Sequence, residues 1–460
     1  MDFYLFFLEE NKKVLRVFQE SLKECEDVKF QKIAGRGTLI YMDAIVGSDL
    51  ELALEKKKEL KTVEEGLLSL FGGNALLVDE ENHLFSVDNK GFPMLGVSKS
   101  EDEKVMRGSE VGFCDTLSTN TALIRNLLRT RNLKVKNQTV GVRTKTAVSV
   151  MYMKGIVKEE LVCNVLNQFR NYSVDAVLDS GVVEQLTKKH WKSPFPEVST
   201  TRRPDKATFS LLEGKIVLLC DHSPVALILP TSLGGLLKTA DDYYNSFFMA
   251  SLGRLIRYLA AFLSFTLPGL YLVVTNFHTQ VLPTPMILAL QEARNGVPFP
   301  AEVEILLMEL SFELLREAGI RLPNVLGNTI GIVGGLIIGQ ASVEAGIVSP
   351  IVVVLVALTA LCSFAIPDEE LAFSFRLLKF YVLVWSAGLG LFGFFVALLS
   401  ILIHLSKLKS YGVPYLMPYV ATEYARKENW KDGFVRFPYR FLRERPMTAP
   451  RNKIRLRKEK

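Results

Sequence analysis

The distribution of apolar residues along the chain changes near residue 250. Before about Met249, short apolar runs alternate with polar positions and with charges of both signs, whereas from about Tyr258 long windows are dominated by apolar residues. A helix needs about 20 apolar residues to cross a hydrocarbon layer. Windows that approach or reach this length lie at about 255–277, 325–341, 347–366 and 380–405. The pattern predicts a soluble region followed by an α-helical transmembrane domain of about four crossings.

The windows differ in detail. The first is interrupted by Pro268 and Gly269, and Arg254 and Arg257 at its leading edge are typical of the cytoplasmic side of a membrane. The second is shorter than a full bilayer, so it requires a thinner layer, little tilt or shielding by neighbouring helices. In the fourth window, His404 is the only ionisable residue.

The second window separates small residues from larger ones around a predicted helix. Relative to Thr329, its glycines fall between about 140° and 280° of rotation, which favours close helix packing on that face. These helix-packing candidates are Gly327, Gly331, Gly334, Gly335 and Gly339. The opposite face carries the pore-lining candidates Thr329, Val333, Leu336 and Gln340, with Glu344 near the mouth. If such helices ring an axis, Val333 and Leu336 form an apolar constriction; a face that meets lipid is the alternative.

An acidic stretch lies between the first two windows. It predicts a helix that begins near Ala301, after Pro300, and stops before Pro323. On that helix Glu302, Glu309 and Glu313 point to one side, where like charges repel unless water, basic partners or cations are present. Two interpretations remain open: a solvated face at the membrane interface, or an acidic vestibule that concentrates cations.

The soluble region contains a weak internal repeat. The stretch GTLIYMDAIVGSDLELAL from Gly37 is echoed by TAVSVMYMKGIVKEELVCNV from Thr146, and GNALLVDEENHLFSV from Gly73 is echoed by GKIVLLCDHSPVALILP from Gly214. In each copy an alternating strand leads to a helical stretch, and a later strand turns at an Asp into a hairpin partner. We therefore expect two related α/β subdomains.

These patterns divide the chain into six parts. The predicted parts are an N-terminal helical segment 1–27, a first α/β subdomain 28–104, a helical connector 105–139, a second α/β subdomain 140–250, the transmembrane domain 251–405 and a basic tail 406–460. In the connector, TNTALIRNLLRTRNL predicts a helix capped by Thr119 or Asn120. Its polar side is expected to carry Arg125, Arg129 and Arg131.

Charge adds a prediction about topology. The tail has 15 Lys and Arg against 5 Asp and Glu, which favours the cytoplasmic side. The start, MDFYLFFLEENKK, lacks the basic region and cleavage site of a signal sequence, so the soluble half is also expected in the cytoplasm. Both ends of the chain are then expected on the cytoplasmic side, which requires an even number of crossings, and four satisfies this. With four crossings, Asp368, Glu369 and Glu370 would lie on the outer side of the membrane. The tail is either a solvated end or a surface for anionic lipid.

The sequence offers little for catalysis. A phosphate-binding glycine loop, paired metal ligands and a nucleophile elbow are missing, so neither enzyme activity nor a cofactor is predicted. Five scattered cysteines predict neither disulfide nor zinc. The run RTRNLKVKNQ is basic but has no interleaved aromatic residues, which favours a solvated face over nucleic-acid binding.

Several stretches resemble the A subunits of the spore germination nutrient receptors, the GerA family. They include RGSEVGF, NTALIRNLLR, SPFPEV, RRPDKATFSLLEGKIVLL, PTPMILALQEARNGVPFP, ELLREAGIRLP, TIGIVGGLIIGQASVEAG and SYGVPYLMP. The resemblance implies a multipass protein of the spore inner membrane that works with a transporter-like B subunit and a lipoprotein C subunit. It also implies a homo-oligomer, a pentameric ring, through which monovalent cations leave the spore when nutrient is sensed.

Three alternatives stand beside this reading. A paralogue made with the spore dipicolinate channel has similar architecture but amplifies germination. A scaffold subunit would couple a partner to the membrane without conducting ions. A secondary transporter would place its substrate at broken helices in inverted repeats, and the four windows show no such repeat.

Overall fold

The structure is a computed structural model of the chain. It describes residues 14–42, 45, 57–79, 81–88, 103, 105–171, 173–321, 334–335, 337–420, 432–442 and 445. The described residues between 14 and 244 form two antiparallel sheets with flanking helices, and most of the described residues that follow are helical.

The first sheet packs against helices through the buried residues of its central strands. Its elements are α1 (Val14–Ser21), β1 (Val28–Ile33), β2 (Gly37–Met42), β3 (Lys57–Leu60), α2 (Val63–Phe71), β4 (Ala75–Val78) and β5 (Leu84–Val87). The strands lie in the order β1-β2-β4-β5-β3. Phe18 of α1 and Leu70 of α2 are fully buried against Ile40 and Leu76, so the apolar faces of helix and strand form one core.

The second sheet follows through a connector helix. Its elements are α3 (Leu117–Leu127), β6 (Leu133–Val140), β7 (Thr146–Met153), α4 (Glu159–Asn171), α5 (Ser180–Thr187), β8 (Ser199–Thr201), α6 (Pro204–Leu212), β9 (Ile216–Cys220) and β10 (Ala226–Leu229). Its order is β6-β7-β9-β10-β8. Because β9 and β10 are buried along their whole length, helices cover both faces there.

The two sheets share one topology, which explains the internal repeat. In each sheet an initial hairpin is followed by a strand at the opposite edge and then by a second hairpin that fills the gap. The matched sequence copies fall on β2 and β7, and on the hairpins β4–β5 and β9–β10. The predicted pair of related α/β units is therefore present.

The connector helix differs from its prediction. Thr116 is the residue before its first turn, rather than Thr119 or Asn120, and Asn120 is buried inside the helix with its amide bonded to Cys114. Arg125 is 1% exposed and donates from two nitrogens to Asp27 at 2.7 and 2.9 Å, so it does not lie on a solvated polar side. The bidentate pair joins the connector to the chain segment that precedes β1.

The helical region follows two short helices. Its elements are α7 (Leu233–Leu236), α8 (Asp241–Tyr244), α9 (Phe247–Leu272), a π-helical turn (Val273–Phe277), a 3₁₀ turn (Thr279–Val281), α10 (Thr284–Ala293), α11 (Ala301–Arg321), α12 (Pro350–Phe364) and α13 (Glu369–Lys407). Beyond it lie β11 (Lys409–Ser410), β12 (Val413–Pro414) and a 3₁₀ turn (Tyr439–Phe441).

One of two predicted helix boundaries changes in the structure. The bounds of α11 agree with the predicted acidic helix. The first window, however, is helical through Pro268, and the residues around Pro268 in α9 are buried in the bundle. Pro268 therefore does not interrupt it.

The fourth window is not one straight crossing. Gly390 leaves the helical conformation with φ 60° and ψ −137°, and α13 folds back on itself there. Tyr381 Oη lies 2.9 Å from Ser400 Oγ, although 19 residues of straight helix would separate them by about 28 Å. The ring of Phe277 lies where a Cβ on Gly390 would sit, so a glycine is needed at this turn. α13 is therefore a hairpin of two antiparallel arms, 369–389 and 391–407.

The helical region has two distinct ends. At one, which we call the soluble end, Phe195 from the second-sheet region packs on Phe375 and His404 of the two α13 arms. At the other, which we call the far end, the turn at Gly390 meets Phe277. α12 starts near α11 toward the far end, and Ile366, two residues after its last residue, belongs to the same apolar cluster as Phe195.

Candidate functional site

Arginines at the start of α9 tie three parts of the chain together. Arg254 is fully buried and donates to Asp242 at 2.9 Å and to Asp432 at 2.7 Å, and Arg257 also pairs with Asp242. Burial opposes the charge on Asp432, yet Lys238 and Arg254 hold the pKa of that carboxyl well below its usual range. The arginines predicted to mark a membrane edge are thus partners in a buried ion cluster.

The first part of the C-terminal tail is folded onto the soluble end. Tyr415 is fully buried, Tyr411 donates its hydroxyl to the carbonyl of Thr187 at 2.7 Å, and Ser410 accepts from the backbone of Thr231. Tyr419 and Tyr258 of α9 share a hydrogen bond between their hydroxyls. Neither predicted role of the tail describes this part, because it is a structural element that joins the second sheet to α9.

The acids before α13 lie at the soluble end. Asp368 accepts from the backbone N–H of Leu371 at 3.0 Å, and Ser374 donates to the carbonyl of Pro194. A cavity of about 250 Å³ is lined by carboxylates from both regions: Glu103, Asp179, Glu184, Asp368, Glu369 and Glu370. Asp368, Glu369 and Glu370 thus lie beside the soluble region, whereas the sequence predicted them on the opposite side of a membrane. The prediction treated the fourth apolar window as one straight helix, and α13 folds back at Gly390.

We expect Asp368→Asn to stabilise the protein at neutral pH. Burial raises the pKa of Asp368 to about 6, from an ordinary value near 3.8. Folding therefore favours the protonated form, and the resulting stability is complete below about pH 4 and is lost as pH rises through 6. Asn keeps the N-cap and carries no charge, so the gain at pH 7 is at most about 3 kcal/mol.

The measurement is the thermal unfolding midpoint in detergent at pH 4.5 and 7.5. The wild type should lose stability across this interval more than the variant does. Glu369→Gln is the matched control, because Glu369 is an exposed neighbour and the variant should retain the wild-type pH dependence. Parallel pH profiles for wild type and Asp368→Asn would contradict the assignment.

Charged side chains are buried between α11 and the first arm of α13. Glu309 is 1% exposed and pairs with Lys379, which is 4% exposed and also lies 3.4 Å from Glu313. Arg316 and Arg376 lie 3.7 and 3.9 Å from Glu313. A buried ion pair is retained only where the charges satisfy each other, since taking each from water costs several kcal/mol.

The predicted acidic stripe is therefore divided. Glu309 and Glu313 share the basic partner Lys379, whereas Glu302, near the start of α11, accepts from Asn276 at 2.7 Å. At the level of Glu309 the stripe is buried in this chain, and the basic partner Lys379 compensates the charge of Glu309.

A second buried carboxylate on α11 fixes the start of α12. Glu304 is fully buried, accepts from the backbone N–H of Ser349 at 3.0 Å and lies 3.3 Å from Arg294. The contact places the first turn of α12 beside the first turn of α11. Sequence reasoning missed Glu304 because its place on the helix differs from that of the acidic stripe.

The glycine-rich segment is described in part. Thr329, Val333 and Leu336 and the glycines at Gly327 and Gly331 lie outside the described residues. Residues 334–335 and 337–344 are helical, and Gln340 is exposed and donates to Glu344 at 2.9 Å.

The described glycines of this segment have unlike surroundings. A Cβ on Gly334 would meet Leu315 at 2.9 Å, and one on Gly339 would meet Val353 at 3.4 Å, so both approach neighbouring helices. At Gly335, which is exposed, no described atom lies within 4 Å of that position. The predicted packing role of Gly335 thus remains a prediction, and it would involve a helix of another chain.

The long apolar helices bear on membrane insertion. Phe247–Phe277 and Glu369–Lys407 have the length and composition to cross a membrane, with mean hydropathy 1.7 and 2.3 in their most apolar windows, and Pro350–Phe364 is a shorter apolar helix. Among the described residues, no group of three or more His, Cys, Asp or Glu side chains is arranged to hold a metal ion.

The fold and this site define a class of protein: a two-sheet α/β region built onto an apolar helical bundle with buried ion pairs. The family model described as Bacillus/Clostridium GerA spore germination protein matches residues 8–448. The chain belongs to this family of spore germination proteins.

Individual relatives cover most of the chain. It is 38% identical over 400 residues to spore germination protein B1 of Bacillus subtilis (strain 168), covering 86% of this chain and 82% of that protein. It is 36% identical over 410 residues to spore germination protein KA of the same organism, covering 89% and 75%. The crystal structure of the N-terminal domain of the A subunit of the Bacillus megaterium spore germinant receptor GerK3 matches 46% of this chain and 92% of that domain, at 25% identity and TM-score 0.35.

Proposed function

We propose that this chain is the membrane subunit of a nutrient-responsive germinant receptor of spores, and that it forms an oligomeric cation channel. It opens when a partner subunit senses germinant, in an assembly with transporter-like B and lipoprotein C subunits in the spore inner membrane. The observation that carries the proposal is the exposed Gln340–Glu344 pair, which lies on a helical segment within the apolar helical region. Polar side chains at membrane depth face a bundle interior or water, and not lipid.

The neighbours of this pair support an oligomer. Gly335 and Ile337 are exposed in the single chain, and a side chain added at Gly335 would enter open space. Small residues at an exposed helix surface allow a second helix to approach closely. A ring of copies, a pentamer as the family resemblance implies, would pack through the glycine face and turn Gln340 and Glu344 to a central path for monovalent cations.

The membrane topology we propose has four crossings that differ from the four windows. They are α9, α12 and the two arms of α13, with α11 and residues 334–344 entering from the far end. The count stays even, so the soluble region and the tail share the cytoplasmic side. Asp368, Glu369 and Glu370 then lie on that side too, in keeping with their contacts at the soluble end.

Cysteine labelling tests this topology. In a Cys163→Ser background, which removes an exposed thiol, we expect Ser173→Cys and Ser406→Cys to react from the cytoplasmic side and Thr279→Cys from the opposite side. The reason is that the first α13 arm would carry the chain from the soluble end to the far end and the second arm would bring it back, so Ser406 would lie on the same side as Ser173. Reaction of Ser406→Cys and Ser173→Cys from opposite faces would rule out the paired arms as crossings.

Potassium flux from vesicles tests the channel. Vesicles that hold this chain with its B and C partners should release potassium when germinant is added, and vesicles with the partners alone should not. A scaffold subunit predicts no flux that depends on residues of this chain. An amplifying paralogue predicts flux that germinant does not trigger directly, and this outcome would replace the receptor assignment.

A further inference from the structure

A partly open cavity of about 150 Å³ lies beside the second sheet, near the start of α9. Its lining comes from residues between 199 and 244 and, in the C-terminal tail, from 417–418, 432 and 441–442. Aromatic and aliphatic walls are contributed by Phe209, Tyr243, Met417, Pro418 and Phe441. A volume of this size holds several waters or one small organic molecule, and is smaller than sites for drug-sized ligands.

The charged groups in this wall are unequally satisfied. Lys206 and Lys238 each hold a carboxylate closely, at 3.1 and 2.8 Å. Lys215 differs, because its ion pair with Glu213 is 3.7 Å long, beyond hydrogen-bond distance. Burial, together with the positive charges of Lys238 and Lys206, lowers the pKa of Lys215, and Glu213 opposes this.

A buried hydroxyl lines the same cavity as the Lys215 amine. Thr231 is 2% exposed, and its Oγ1 has no hydrogen-bond partner among the described residues. The position that a Cβ on Gly235 would occupy is 3.8 Å from Thr231 Oγ1 and 3.9 Å from Lys215 Nζ. The amine and the unpaired hydroxyl therefore both border the space beside a residue without a side chain. A buried polar atom with no partner indicates a missing one.

We propose that this cavity binds a small organic anion: a carboxylate carried on a short apolar or aromatic body. Lys215 and Thr231 hold the carboxylate, since one supplies charge and a donor and the other supplies a hydroxyl. The walls formed by Phe209, Tyr243 and Met417 enclose the apolar body.

The site is connected to the start of α9. Tyr243 donates its hydroxyl to Asp432 at 2.8 Å, both line the cavity, and Asp432 is an ion-pair partner of Arg254. A molecule in the cavity contacts the second-sheet side and the tail together. Its binding therefore stabilises the tail against α9 by mass action. This role goes beyond ion conduction and does not depend on it.

Benzoate and its neutral isostere benzamide are the probes. Each is titrated into the purified full chain in detergent at constant ionic strength, with binding followed by calorimetry. We expect benzoate to bind, and we expect the Kd of benzamide to be at least about tenfold higher, since only benzoate carries the charge that Lys215 pairs with. Lys215→Gln should raise the Kd for benzoate by about tenfold, which corresponds to about 1.4 kcal/mol. The control Lys58→Gln, at an exposed position on β3, should leave the Kd unchanged.

Two further variants keep the test decisive if Lys215→Gln fails to fold. Thr231→Val removes the hydroxyl and retains the shape, and Gly235→Ala places a methyl beside the amine; both should weaken benzoate binding severalfold. The proposal is overturned if benzamide binds as tightly as benzoate, if these variants bind like the wild type, or if no probe binds. The proposal is also overturned if inorganic phosphate binds as tightly as benzoate, because the apolar walls would then contribute nothing to recognition.

Discussion

Replacing Lys379 by Met is expected to destabilise the helical region by about 3–5 kcal/mol, the cost of breaking a buried ion pair on one side. Glu309 would remain 1% exposed, and its closest ion-pair partner would be gone. The thermal unfolding midpoint of the purified chain in detergent measures the loss. No other single change proposed for this bundle removes a charge partner from so buried a carboxylate.

The double variant Glu309→Gln/Lys379→Met separates ion pairing from packing. With both charges removed, the buried site is neutral, and we expect most of the lost stability to return. Arg321→Met is the matched control, because Arg321 and Glu317 are paired but 77% and 59% exposed, and its effect should stay below about 1 kcal/mol. If the double variant is as unstable as Lys379→Met, the pairing explanation is wrong.

Val333→Ala and Leu336→Ala are expected to make the assembled protein leak cations without germinant. Both positions lie outside the described residues, but a helix that reaches Gln340 places them within about 40° of it. Water is unstable in a narrow apolar neck, so removing methyl groups admits a hydrated ion. A barrier lowered by about 1.4 kcal/mol raises the leak about tenfold. Potassium release from dormant spores, or from vesicles holding the complex, measures it.

Two controls distinguish a pore from a lipid-facing surface. Leu358→Ala, on an exposed part of α12, should leave the leak unchanged because Ala and Leu both suit hydrocarbon. Ile337→Ala, at a position 57% exposed and nearer the flank of the proposed pore face, should have a weaker effect than Leu336→Ala. An unchanged leak in both pore variants, with normal expression and assembly, would remove this helix from the ion path.

The buried pairs also bear on how the helical region is held together. Glu304 and Glu309 are both on α11, and they reach Ser349 at the start of α12 and Lys379 in the first arm of α13. Each link joins elements that are distant in the chain. In an apolar medium such links fix the relative position of helices more specifically than lipid-like side chains can.

Local pattern was sufficient for several features. The apolar strand pattern in Thr146–Met153 and the repeated strand-turn-strand copies predicted two like α/β units, since such runs bounded by turn residues are typical of strands. Pro300 and Pro323 bracketed α11 because proline favours helix starts and stops. Long apolar windows located α9 and α12, and motifs such as TIGIVGGLIIGQASVEAG carried the family resemblance.

Tertiary structure decided the rest. Gly390 lies in an apolar run that also contains Gly388, and no periodicity distinguishes a glycine that packs from one that turns; the contact with Phe277 selects the hairpin. The partners of Glu309 and Asp432 are 70 and 178 residues away, at Lys379 and Arg254. Helical and strand periods report only which face of an element is apolar. Which charges pair depends on how the elements pack. The same packing places the acids at the start of α13, Asp368, Glu369 and Glu370, at the soluble end.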